Sequence, residues 1–145
     1  MTLLVQVFGA SGVETRFFDA YDLGAVEKKV RELKPRPVVV ESISNPLLRV
    51  ADIPEISKIT RAGGAALIVD NTFGTPYLQR PLELGADIVV HSATKYLSGH
   101  GDITAGAVVA GPPYAAAVEQ LRKLVGGVLG PFEAWLAHRG LKTLP

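Results

Sequence analysis

The spacing of apolar positions changes several times along the chain, and each change marks an element. Leu23, Val26, Val30 and Leu33 recur every three or four residues, which predicts an amphipathic helix over 23–34. Glu27 and Arg31 fall on its outer face as an i,i+4 pair, and Pro35 and Pro37 end it. Val38-Val-Val40 then reads as a buried strand that leaves through the polar run Glu41-Ser-Ile-Ser-Asn-Pro46. Asp52 and Glu55 stand at capping-box spacing, with Pro54 in the first turn, where its missing N–H costs nothing. Ile53, Ile56 and Ile59 give the second helix its apolar face, and Gly63-Gly64 stop it. Ala66 to Val69 is another buried strand, leaving through Asp70-Asn-Thr72, and a short helix over 78–84 leads to Gly85. Ile88, Val89 and Val90 form a further strand, followed by His91-Ser-Ala-Thr-Lys95. Ala105 to Ala110 is one more strand, and helices follow over 114–125 and 132–141, the latter with Phe132, Trp135 and Leu136 on one face. Upstream, residues 3–9 read as the end of a helix broken by Gly12, Val13 to Phe18 alternates as a strand, and 19–22 is a turn.

Strands thus alternate with helices, and several strands are apolar on both faces. That pattern predicts an α/β fold, a three-layer α/β/α arrangement around a mostly parallel sheet. A chain of 145 residues that is 48% apolar suffices for one globular domain. The net charge of +1 and the lack of any charge block give no electrostatic reason to expect nucleic acid or a membrane surface as partner. No run of about twenty apolar residues spans a bilayer. The chain has no cysteine, which removes disulfides, zinc–thiolate sites and thiolate nucleophiles from consideration and fits a cytoplasmic location. Both ends read as cut from something longer.

In parallel sheets, ligands bind at the carboxyl ends of the strands. Three successive strands end here in polar clusters: Glu41/Ser42/Asn45, Asp70/Asn71/Thr72 and His91/Ser92/Thr94/Lys95. Polar strand ends are common in such folds, because loops begin there. The residue types sharpen the expectation. A lysine amine can form a Schiff base with an aldehyde cofactor, Ser92 and Thr94 can donate to phosphate oxygens, and Asp70 can pair with a protonated pyridine nitrogen. Rival readings are weaker. His91 and His100 lie nine residues apart across a turn, without a recognisable metal-ligand spacing, and Gly99-His-Gly101 matches neither common nucleotide loop. Ser11 and Ser98 lack a histidine and carboxylate arrangement that would make either a nucleophile.

The run from Asp70-Asn-Thr-Phe-Gly-Thr-Pro through Asp87-Ile-Val-Val-His-Ser-Ala-Thr-Lys-Tyr-Leu-Ser-Gly-His-Gly-Asp102 closely resembles the cystathionine gamma-synthase family, the fold-type-I pyridoxal-phosphate enzymes of cysteine and methionine metabolism. Glu41-Ser-Ile-Ser-Asn-Pro46 and Arg139-Gly-Leu-Lys-Thr-Leu144 resemble family segments in the same order. The resemblance implies that residues 1–145 are part of the large, cofactor-binding domain, with the phosphate loop upstream and the C-terminal domain downstream of the chain. It implies pyridoxal 5'-phosphate as cofactor, held by Lys95 as an aldimine, with Lys95 also moving protons on the substrate. Asp70 would hold the ring nitrogen, Ser92 and Thr94 the phosphate, and Asn45 the ring oxygen or the substrate carboxylate; no metal is implied. The implied reaction is β- or γ-elimination, or γ-replacement, on a small amino acid of homoserine-ester, cystathionine, cysteine or methionine type. A homotetramer is the implied assembly. The alternative is a catalytically silent, truncated domain.

Overall fold

The computed structural model describes residues 3–145. Its centre is a four-stranded sheet in the order β1 (Pro37–Glu41), β2 (Ala66–Asp70), β3 (Ile88–Ser92), β4 (Gly106–Ala110). The first three strands are parallel, because α1 (Leu23–Leu33) and α2 (Ile53–Ala62) precede β1 and β2 and a shorter segment carries the chain back to β3. β4 runs antiparallel to β3, since only the excursion 93–105 joins them. The α/β fold with a mostly parallel sheet, expected from the sequence, is therefore the fold observed.

The side-chain alternation of the strands decides what faces where. Val38, Val40, Leu67, Val69 and Val89 point to one side and are buried there with Val26 and Val30 of α1 and Ile53 and Ile56 of α2. Ile53, Ile56, Leu67 and Val69 have no exposed surface, and each contributes about 1.5–3 kcal/mol through burial. Residues of the other parity, among them Ile68, Asp70, Val90 and Ser92, lie on the opposite, half-open face.

The cap read from the Asp52 spacing forms in part, and Asp22 supplies α1 with a second one. The Asp22 carboxylate accepts the Ala25 N–H at 3.0 Å, and the Asp52 carboxylate accepts the Glu55 N–H at 3.1 Å. Glu55 does not close the box; it pairs with Lys58 at 2.5 Å instead. The Glu27–Arg31 pair is not among the ion pairs of the described residues.

Several expectations need correction. Val13 to Phe18 is not a strand: alternation alone cannot make one without a partner edge, and Phe18 instead packs against the core. The short helix lies at α3 (Thr75–Leu78), not at 78–84. Pro81 excludes the later position, because it has no N–H to donate and disfavours helical backbone at Arg80. The helical stretch near the amino end is a π-helical turn, Leu3–Phe8. After α4 (Tyr114–Val125) comes α5 (Pro131–Leu141), in which Phe132 and Trp135 stack on one another at 6.0 Å and stay exposed, while Leu136 alone of the three is buried.

Candidate active site

Because β1, β2 and β3 are adjacent and parallel, their polar exits meet on one edge of the sheet. Glu41 pairs directly with Asp70 in the ladder, and Ser92 closes β3 beside them. A cavity of about 550 Å³ opens there, lined by Asn45, Asp70, Thr72, Ser92, Lys95 and Tyr96 among others. Four of the five residues singled out from the sequence thus share one cavity: Asn45, Asp70, Ser92 and Lys95.

Thr94 is placed differently. Its hydroxyl donates to the Ala105 carbonyl at 3.1 Å and accepts the Ala105 N–H at 2.8 Å. It fastens the two ends of the excursion between β3 and β4 and is not part of the cavity lining.

The Asp70 carboxylate is held on one side only. Its Oδ1 accepts both the N–H of Thr72 at 2.9 Å and the hydroxyl of Thr72 at 2.6 Å. The Thr72 hydroxyl in turn accepts the Ser92 N–H at 2.8 Å. A continuous path of donors therefore runs from the β3 backbone through Thr72 into Asp70 Oδ1, which fixes the plane of the carboxylate. Oδ2 accepts no hydrogen bond from the described residues and remains for a ligand. Thr72 was visible from the sequence as part of a polar cluster, but not in this role. The signal that finds it is the two-residue spacing of an Asx turn, Asp70 to Thr72.

Lys95 stands on a tight turn. Its N–H donates to Ser92 O at 3.0 Å, and Gly99 N–H donates to Lys95 O at 2.8 Å. Its side chain is exposed toward the cavity. Asn45 sits on a loop pinned by the Ile43–Val50 bridge and by a Tyr21 hydroxyl that donates to Arg49 O at 3.0 Å. Phe73 and Tyr96, a tilted aromatic pair at 5.9 Å, complete the wall; nothing in their spacing marks them beforehand.

Behind the cavity, His91 has the parity of the dry face and is buried. Its Nδ1 has no hydrogen-bond partner among the described residues. Burial disfavours the imidazolium and lowers its pKa from the ordinary 6.5; the Asp70 charge and the Asn71 backbone oppose this only in part. The sign of the linkage follows: below pH 6.5 the unfolded chain takes up a proton that the folded chain resists, so this contribution is complete above 6.5 and is lost as pH falls toward the lowered folded value. Melting temperatures at pH 7.5 and 5.5 are expected to differ more for the natural chain than for a His91→Gln variant. Equal differences would contradict this assignment.

Comparison with known proteins covers the whole chain. The family model for the Cys/Met metabolism PLP-dependent enzymes matches residues 1–145. L-methionine gamma-lyase of Pseudomonas putida is 51% identical over 138 residues, which is 94% of this chain and 34% of that protein. Cystathionine gamma-lyase of Bacillus subtilis (strain 168) is 44% identical over 143 residues, covering 98% of this chain and 38% of that protein. Among solved structures, cystathionine gamma-lyase from Lactobacillus plantarum complexed with L-serine superposes with a TM-score of 0.93 at 40% identity, over 99% of this chain and 38% of that one. The chain spans little more than a third of the length of these relatives. With a match over its full length and these identities, the chain belongs to the Cys/Met metabolism PLP-dependent enzyme family.

Proposed function

We propose that the chain is the cofactor-holding part, a partial large domain, of a pyridoxal-phosphate-dependent lyase or transferase that carries out β- or γ-elimination, or γ-replacement, on sulfur amino acids or activated homoserine. One observation carries the reading. An amine, a hydroxyl and a carboxylate with one oxygen unengaged converge in a cavity of a size ordinary for small-molecule sites. That donor set fits pyridoxal 5'-phosphate, which needs an amine for its aldehyde, donors for its phosphate and an acid partner for its ring nitrogen.

When bound, the cofactor supplies an electron sink for the carbanion formed at the substrate's α-carbon. Lys95 would hold it through Nζ, and the same Nζ would take and return substrate protons. Asp70 Oδ2 would keep a proton on the ring nitrogen, while Thr72 keeps Oδ1 engaged and the carboxylate in place. Ser92 Oγ would donate to phosphate. Thr94 would give up its bond to the Ala105 carbonyl to do the same, keeping the bond it accepts from the Ala105 N–H. Asn45 would orient the ring oxygen or the substrate carboxylate.

A homotetrameric assembly and a cytoplasmic location belong to the same reading. Exposed Leu121, Leu124, Val125, Phe132 and Trp135 support the first, since two successive helices leave five large apolar side chains in water. Substrates that are small polar metabolites support the second. The decisive experiment adds pyridoxal phosphate and then cystathionine, methionine or a homoserine ester with a thiol to the complete protein. Visible absorption of lysine-held cofactor is expected, with release of a 2-oxo acid by elimination or formation of a new thioether amino acid from a homoserine ester by replacement; cofactor uptake without turnover of any sulfur amino acid or homoserine ester would overturn the assigned reaction. A second reading, a silent truncated domain, has only weak support, from the chain's spanning 34–38% of its relatives. It predicts that the 145-residue chain takes up no cofactor while the complete protein does.

A further inference from the structure

The carboxyl end of α5 lies directly against the turn that carries Lys95. Gly140 is buried, and a Cβ built on it would stand 2.8 Å from both the Cα and the carbonyl carbon of Ser98. Backbone therefore rests on backbone, and any side chain at 140 would force the two apart. Ser98 is only 1% exposed at this contact. On either side of it, Arg139 forms an ion pair with Asp102, and His100 Nε2 lies 3.0 Å from Thr143 Oγ1.

The contact continues to the lysine through the hydrogen bonds of the turn itself. Ser98 N–H donates to Ala93 O at 3.0 Å, Gly99 N–H to Lys95 O at 2.8 Å, and Lys95 N–H to Ser92 O at 3.0 Å. Beyond Ser98 the turn has little rigidity of its own, since Gly99 and Gly101 both adopt positive φ, +71° and +68°. The ion pair is too exposed, at 41% and 32% for the two side chains, to add much to global stability. What it can supply is position.

We propose that Gly140 and the Arg139–Asp102 pair are positioning residues for Lys95: α5 sets the conformation of residues 95–102 and thereby where the lysine amine stands in the cavity. The proposal rests on the reading of Lys95 as the cofactor lysine. It concerns how firmly that amine is held and what environment it meets.

The test uses the complete protein with pyridoxal phosphate and three readouts: cofactor dissociation constant, pH midpoint of the visible absorption, and melting of the cofactor-free protein. Arg139→Ala and Asp102→Ala are each expected to weaken cofactor binding about tenfold and to shift the midpoint in the same direction, a size typical of coupling through a packed network. Cofactor-free melting should stay unchanged. The double charge exchange Asp102→Arg with Arg139→Asp should recover most of the loss, and Gly140→Ala should exceed either single effect. Natural affinity and midpoint in both alanine variants would overturn the proposal. So would a fall in cofactor-free melting that accounts for the whole loss of affinity. Lys95→Ala serves as the control: absorption of lysine-held cofactor that survives there overturns the reading of Lys95 and takes this proposal with it, a result distinct from the other two.

Discussion

Lys95→Ala in the complete protein is expected to abolish the visible absorption of lysine-held cofactor and to lower kcat/KM by about 10³-fold or more. The size follows from the two tasks assigned to one nitrogen. Covalent holding of the aldehyde and proton transfer at the substrate both end with its removal, and positioned proton transfer alone contributes about 10²- to 10⁴-fold. No other side-chain amine stands ready to substitute, because Lys95 is the only lysine lining the cavity among the described residues. Phosphate contacts from Ser92 would still retain some cofactor, so the variant should bind it non-covalently, with the absorption of the free aldehyde. Lys95→Arg should behave alike, since a guanidinium keeps the charge but cannot deprotonate to attack an aldehyde. Activity within tenfold of the natural protein in either variant would refute the role.

The second large effect concerns stability. Asn71→Ala is expected to destabilise the fold by about 3–5 kcal/mol, read from urea denaturation of the complete protein. Asn71 has no exposed surface, and every polar atom of its side chain is used. Its Oδ1 accepts the Ser42 hydroxyl at 2.7 Å, while its Nδ2 donates to Thr75 O at 3.0 Å and to Gln79 O at 2.9 Å. Truncation strands the Ser42 hydroxyl and the half-buried Gln79 carbonyl, while Thr75 O keeps only the Gln79 N–H at 3.2 Å, at about 1–3 kcal/mol for each group left unsatisfied. Because the same side chain ties the exit of β1 to the loop after β2, cofactor affinity should fall as well. A loss below about 1 kcal/mol would mean that water replaces these bonds.

Much of this site was legible in the sequence, for a physical reason. Buried parallel strands are written as short β-branched runs, so the point where Val40, Val69 or Val90 gives way to polar residues marks the edge where chemistry can sit. Helical spacing likewise identified α1 and α2, because their apolar faces meet a sheet that demands them. Other features depend on which segments meet, and local spacing does not report that. The alternation of Val13 to Phe18 looks like a strand until one asks what it would pair with. Thr94 reads as a hydroxyl beside the lysine, and its tie to Ala105 is invisible until the two segments meet. Gly140 looks like an ordinary helix glycine until Ser98 is found against it. Phe132 and Trp135 look like a core face, although the surface they would cover is not formed by the described residues.

The strand alternation has one consequence for how such a protein can change. Asp70 faces the cavity and Asn71, its neighbour, is locked in the dry wall; Ser92 faces the cavity and His91, its neighbour, is buried. The two members of each pair differ only in phase. Deleting or inserting a single residue within β2 or β3 would exchange their surroundings, carrying a carboxylate into the apolar layer and an amide toward the ligand. Additions of any length between the strands would leave the phase intact. The tolerance of this molecule to altered length should therefore be sharply uneven: generous in connections that hold no part of the site, and close to nil across ten residues, 66–70 and 88–92.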